Sequence, residues 1–239
     1  MSTLRFSNPV FVAIDTPDLN RALAVAKAVG PHVGGLKVGL EFITARGPDG
    51  VRAITALGRP VFADVKFHDI PNTVAGAARE IAKLGVSMFN IHASGGEAMM
   101  RAAKDAAASI NPGMKVIAVT VLTSMDEMQL KAVGVHREPG SQVELLARMG
   151  LDAGIRGFVC SPNEVHALRA MTGPGGTLVV PGIRPAGSAA GDQKRIATPA
   201  DALRAGASYL VVGRPITQAA DPAEAAERVL EEMAAALGE

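Results

Sequence analysis

The sequence has no tryptophan, one tyrosine and one cysteine in 239 residues, and its positive and negative side chains differ by a single charge. Each shortage excludes something. With aromatic residues at 3%, the core has to be aliphatic and rich in alanine, and rings for stacking nucleobases are scarce. A formal net charge of +1 gives no basic field of the kind that holds nucleic acid. Cys160 stands alone, so it forms no intrachain disulfide and has no partner for a structural zinc site, which fits a reducing compartment. No apolar run approaches the ~18 residues of a membrane span. The opening MSTLRFSNPVFVAID lacks the basic, apolar and small-residue order of a signal peptide. The expectation is a soluble cytoplasmic protein whose partners include neither nucleic acid nor membrane.

What is present is an alternation. Short apolar runs occur at Val10 to Ile14, Gly35 to Leu40, Val61 onward, Met88 to His92, Lys115 to Val121, Gly157 to Cys160, Leu178 to Val180 and Tyr209 to Val212. Each leads into a segment of helical periodicity, for example Asp18 to Val29, about Thr73 to Leu84, and about Ser141 to Gly154. Eight strand–helix units without a composition shift predict an α/β fold, a single (β/α)8 TIM barrel spanning residues 1–239. A doubly wound open sheet uses the same alternation, but it usually carries G-x-G-x-x-G after its first strand, where Asp15, Thr16 and Pro17 stand here. Ser161-Pro162-Asn163-Glu164 and Asp221-Pro222-Ala223-Glu224 are helix starts, with an N-cap residue, Pro at the first position and Glu at the third.

The stretch VFADVKFHDIPNTV, Val61 to Val74, opens as a buried strand yet carries Asp64, Lys66 and Asp69. Side chains alternate across a strand, so Phe62, Asp64 and Lys66 share one face, opposite Val61, Ala63 and Val65. An interior salt bridge is one reading, and charges gathered at a catalytic strand end are the other. TIM barrels place their sites at the C-terminal ends of the strands, and other polar residues fall there as well. Asp15 ends the first strand, either as a functional carboxylate or as a turn cap. Lys37 lies inside GGLKVGL, where Gly35 and Gly39 would allow close backbone approach to a ligand. Thr123 follows the fifth strand; Ser124 beside it begins a capping box with Glu127.

Loops after strands seven and eight often bind phosphate in such barrels. Gly213 would let backbone N–H groups approach an anion, and Arg214 can contact it bidentately. The glycine-rich segment from Gly182 to Gly191 reads either as a plain solvated loop or as a loop that closes over a substrate, with Arg184 and Gln193 as reaching groups. His68, His92, His136 and His166 do not repeat at metal-ligand spacing, and Cys160 reads as a small buried hydrophobe.

Taken together, D-x-K-x-x-D-I-P-N-T, GLKVG, TVLTSM, PGIRP and VGRPIT, with the strand-one Asp15, resemble the signature of the orotidine 5'-monophosphate decarboxylase family over the whole chain. The resemblance implies a homodimeric carboxy-lyase with shared active sites that needs no metal, pyridoxal phosphate or other cofactor. It implies Lys66 as proton donor to C6 of the pyrimidine, Asp64 against the substrate carboxylate, and Lys37 between the ribose hydroxyls and the charged array. Asp69 and Thr73 would reach into the partner subunit's site. Asp15 would bind ribose, Thr123 the pyrimidine amide edge, and Arg184, Gln193, Gly213 and Arg214 the phosphate region. The nearest alternatives are a magnesium-dependent sugar-phosphate decarboxylase or lyase of the same superfamily, which differs after the second Asp, and a non-catalytic phosphate-binding barrel.

Overall fold

A computed structural model describes residues 8–185 and 196–237. Within them β1 (Val10–Ile14), β2 (Gly35–Val38), β3 (Val61–Phe67), β4 (Met88–His92), β5 (Lys115–Val119), β6 (Gly157–Val159), β7 (Thr177–Val180) and β8 (Tyr209–Val212) pair in parallel with their sequence neighbours. β8 closes on β1 through the registers Val10 to Leu210 and Val12 to Val212, so the sheet is a closed TIM barrel. Outside it run α1 (Leu19–Val29), α2 (Leu40–Thr55), α3 (Pro71–Ala82), α4 (Glu97–Ile110), α5 (Glu127–Ala132), α6 (Pro139–Asp152), α7 (Val165–Thr172), α8 (Pro199–Arg204), α9 (Arg214–Thr217) and α10 (Pro222–Leu237).

The alternation of each strand divides the core in two. Val10, Val12 and Ile14 of β1 and Val61, Ala63 and Val65 of β3 face outward into the main core with the helices. Phe11, Ala13, Phe62, Met88, Ile117, Val179 and Val211 face inward and fill the lower lumen, with Tyr209 packed edge-on to Phe11 at 5.1 Å between ring centroids. Burying rings the size of Phe11 and Phe62 contributes about 2–3 kcal/mol each, so this plug makes the lumen a floor rather than a pore.

Gly35 serves that floor and not a ligand, contrary to the sequence expectation: a Cβ there would lie 2.3 Å from Cε1 of Phe11. Gly39 does lie close to the polar groups described below.

Helix starts follow local chemistry. Asp18 caps α1 by accepting from the backbone N–H of Asn20 at 2.8 Å and Arg21 at 3.1 Å. Asp221 accepts from Ala223 at 2.9 Å and Glu224 at 3.2 Å, and Glu164 accepts from the N–H of Ser161 at 2.8 Å. α3 begins two residues before the expected Thr73, because Pro71 is preset for the first helical position. The helix after β5 begins at Glu127 and is capped by Asp126, not Ser124. Asp126 and Gln129 exchange the two capping hydrogen bonds, at 3.0 and 3.1 Å. The preceding turn, closed by Met125 N–H to the Leu122 carbonyl at 2.9 Å, keeps Ser124 out of the cap position. The helical segment after β2 is interrupted at Gly47, as the run of Gly47, Pro48 and Gly50 leads one to expect: its φ 59° and ψ −160° are non-helical, and α2 is two helical pieces joined across a kink immediately before Pro48.

Candidate active site

Three neighbouring strands deliver an alternating row of charges to the C-terminal mouth of the barrel. Lys37 of β2 is 93% buried, and its Nζ lies 3.1 Å from Oδ1 of Asp15, just past β1. The same ammonium stands 3.4 Å from Oδ2 of Asp64 on β3. Nζ of Lys66 donates to the other oxygen, Oδ1 of Asp64, at 2.5 Å. The order Asp15, Lys37, Asp64, Lys66 places each interior member between opposite charges, which offsets much of the desolvation that burial imposes. Burial pushes the Asp64 carboxyl upward, but the ammonium groups of Lys37 and Lys66 and the hydrogen bonds from Lys66 and Asn90 outweigh it. Its pKa therefore lies below the ordinary carboxylate range, and Asp64 stays ionised.

The backbone of β3 is distorted to make this row. Ala63 pairs with Phe89 and Phe67 with Ile91, so four steps along β3 match two along β4, a bulge that re-aims side chains at the strand's end. Within it Lys66 has φ 50°, the one positive φ at a non-glycine among the described residues. Such a conformation costs on the order of 1–3 kcal/mol and persists only where its surroundings hold it. Asn90 of β4, 99% buried, is the enforcing contact. Its Oδ1 accepts from the backbone N–H of Lys66 at 2.7 Å, and its Nδ2 donates to Oδ1 of Asp64 at 2.7 Å. Sequence reading passed over Asn90. The signal was an amide inside the apolar run MFNIH, on the lumen face shared by Met88 and His92.

The row opens on a cavity of about 570 Å³, a size suited to a nucleotide-sized ligand. Asp15, Lys37, Asp64, Lys66, Thr123, Arg184, Gly213 and Arg214 all line it, as does Asn90. Its floor is the upper surface of the lumen plug at Ala13, Phe62, Val179 and Val211. Thr16, Arg21, Thr217 and Gln218 add polar groups that sequence reading had not singled out. Asp69 and Thr73 are exposed and do not line this chain's cavity; Oδ1 of Asp69 accepts from the N–H of Ile70 at 2.7 Å. Gln193 lies outside the described residues, as does most of the segment from Gly182 to Gly191.

At the end of the cavity beyond β7 and β8, two arginines approach each other. Arg184 is 92% buried and its Nη1 donates to the Ile183 carbonyl at 2.9 Å. Its backbone N–H donates to the Ala197 carbonyl at 2.9 Å, which fastens the two described ends of the loop. Burial and the positive charge of Arg214 both hold the Arg184 guanidinium below its ordinary pKa. Repulsion of this sort is relieved by a bound anion. On the opposite flank the rings of His68 and His92 lie 5.4 Å apart, and burial, then His68 and Lys66, hold His92 below the ordinary histidine value against the pull of Asp64.

A closed parallel barrel whose acids and bases converge beyond the carboxyl ends of its strands defines a class, the TIM-barrel enzymes. Residues 8–229 match the sequence model of a family described as "Orotidine 5'-phosphate decarboxylase / HUMPS family". The orotidine 5'-phosphate decarboxylase of Paramagnetospirillum magneticum is 54% identical over 232 residues, covering 95% of this chain and 98% of that protein. The enzyme of the same name from Moorella thermoacetica is 50% identical over 239 residues, covering 98% and 95%. The crystal structure of orotidine 5'-phosphate decarboxylase from Lactobacillus acidophilus superposes with a TM-score of 0.83 at 38% identity, covering 95% of this chain and 99% of that one. The chain belongs to the orotidine 5'-phosphate decarboxylase / HUMPS family. Its enzyme class is that of these relatives, the carboxy-lyases.

Proposed function

We propose that this protein converts orotidine 5'-monophosphate to uridine 5'-monophosphate and carbon dioxide, in pyrimidine biosynthesis in the cytoplasm, with no metal or organic cofactor. The observation that carries the reading is the alternating row Asp15, Lys37, Asp64, Lys66 at the mouth of a nucleotide-sized cavity. In the reaction the bond from C6 to the carboxylate breaks, its electron pair stays on C6, and a proton from Nζ of Lys66 forms the new C6–H bond. Nζ of Lys66 pairs with the ionised Asp64 and is the group placed to donate a proton. Fixed cations next to the developing carbanion stabilise it without solvent reorganisation. Asp64 faces the departing carboxylate, Asp15 and Lys37 hold ribose hydroxyls, and Thr123 meets the amide edge of the base. Arg184, Gln193, Gly213 and Arg214 grip the phosphate, so binding energy far from C6 is used at C6.

The same reading takes the enzyme as a homodimer in which Asp69 and Thr73 complete the partner's site. Their exposure, next to Ile70 at 67% exposed, supports it. The magnesium-dependent alternative is supported less, because the Lys37 ammonium already bridges the two carboxylates of the row. The test is turnover of orotidine 5'-monophosphate by purified protein in excess chelator, followed by loss of pyrimidine absorbance. Decarboxylation under chelation is expected. Turnover that appears only with added magnesium moves the assignment to the sugar-phosphate branch, and phosphate-ligand binding without turnover moves it to a binding barrel.

A further inference from the structure

The geometry points to Asn90 as the positioning residue of the reaction, the group that sets where Lys66 holds its proton. This rests on the decarboxylase reading above. Two residues of one strand have to be fixed at once, and they need opposite chemistry: the backbone N–H of Lys66 offers a donor and the Asp64 carboxylate an acceptor. A single primary amide satisfies both, with Oδ1 toward Lys66 N and Nδ2 toward Asp64 Oδ1, each at 2.7 Å. The orientation of the amide is therefore dictated, since flipping it would set donor against donor and acceptor against acceptor.

The contact lies inside the β3 bulge, where register with β4 is lost between Ala63 and Phe67. Asn90 thereby supplies β4's tie to the one non-glycine held at positive φ among the described residues. Without it, Lys66 is free to relax toward the ordinary extended conformation, and its side chain would then leave the line that runs to Asp64 and the cavity. Asn90 has both ends of its amide engaged and is itself 99% buried, so it acts through Lys66 and Asp64. The ionisable groups around it are Asp64 and Lys66 from β3, Lys37 beyond Asp64 from β2, and His92 two residues along β4 with His68 against it.

The test compares Asn90→Ala and Asn90→Asp with wild type in kcat, KM, affinity for uridine 5'-monophosphate and thermal unfolding. Asn90→Ala is expected to lower kcat by about 100-fold, the cost of misplacing a reacting group by ~1 Å, with product affinity within about threefold of wild type. Asn90→Asp keeps the acceptor for Lys66 N–H but turns an oxygen toward Asp64, so a proton has to be shared between the two carboxyls. Its kcat should fall at high pH and recover as the pH drops, a profile that a merely structural role does not produce. Wild-type kcat in both variants, or loss of kcat only in parallel with product affinity and folded structure, overturns the assignment of Asn90 alone. A wild type that fails to decarboxylate overturns the underlying reading together with it.

Discussion

Gly39→Ala tests whether the charged row works by its spacing. Gly39 lies between β2 and α2 with φ −103° and ψ −174°, a backbone conformation open to any residue, so the substitution adds no torsional strain. Its Cβ, however, would lie 2.6 Å from Oδ1 of Asp15 and 3.0 Å from Nζ of Lys37. The first contact is about 0.8 Å short of ordinary van der Waals distance, so something has to move. Asp15 is the freer partner, because its side chain is 48% exposed whereas that of Lys37 is 9% exposed and also held by Asp64. The Asp15 carboxylate swings toward water, and the end link of the row opens while the rest stays.

Stability should fall by no more than about 1 kcal/mol, the scale of placing alanine at a helix N-cap. A displacement of this size at a substrate-positioning group should lower kcat/KM for orotidine 5'-monophosphate by about 10- to 100-fold, or roughly 1.4–2.7 kcal/mol of transition-state binding. The assay is the absorbance decrease on decarboxylation, paired with urea unfolding of the same sample. Combining Gly39→Ala with Asp15→Ala removes the colliding atom, so the double variant should be no worse than Asp15→Ala alone. Wild-type kcat/KM in Gly39→Ala, or full additivity in the double variant, would refute the reasoning.

Lys66→Ala should lower kcat by about 10²–10⁴-fold while product binding, read by calorimetry, persists; an active variant removes Lys66 from the proton-donor role. Asp64→Asn should cost about 3 kcal/mol near neutral pH by leaving Lys66 unpaired and the buried Lys37 with Asp15 alone, measured by urea unfolding. Because the folded pKa of Asp64 lies below its unfolded value, that difference should be fully present above pH ~4 and shrink as the pH falls toward the folded value. A difference that instead grows on acidification contradicts the assigned charge state. Arg214→Ala should raise KM by an amount worth about 2 kcal/mol, the loss of a charge-assisted hydrogen bond, and should abolish thermal stabilisation by inorganic phosphate. Mixing inactive Asp69 and Lys66 variants should restore activity through hybrid dimers, and no rescue after confirmed subunit exchange argues against shared sites.

The barrel was legible because its signal is physical and local: short apolar runs, each closed by turn or cap residues, alternate with helical periodicity. β1, β4 and β8 fall where the sequence places them, and the other strands differ by a residue or a few at their ends. The convergence of Asp15, Lys37, Asp64 and Lys66 was legible for a second reason, since charge on a buried strand needs an outlet. The bulge in β3 was not. A two-residue excess in one strand depends on what the neighbouring strand offers, and no pattern within Val61 to Phe67 announces it. Asn90, which holds that bulge, was overlooked for the same reason: an amide in an apolar run is intelligible only beside its partner. Ser124 misled because S-x-x-E and D-x-x-Q overlap at positions 124–129, and the turn before them, not either motif, selects the start. Gly35 looked like room for a ligand and is room for Phe11, a long-range choice that spacing alone does not reveal.

The alternating order of the charged row has a historical consequence. Exchanging Lys37 or Asp64 leaves Asp15 or Lys66 without its partner and the other interior charge with one partner in place of two, so a one-step departure is expected to pass through a weakened intermediate. The links are thus expected to change together, and a lineage that altered this chemistry would have to replace adjacent residues at once or first let water into the cup. New substrate preferences in this scaffold are expected to start at the rim and to reach the strands last.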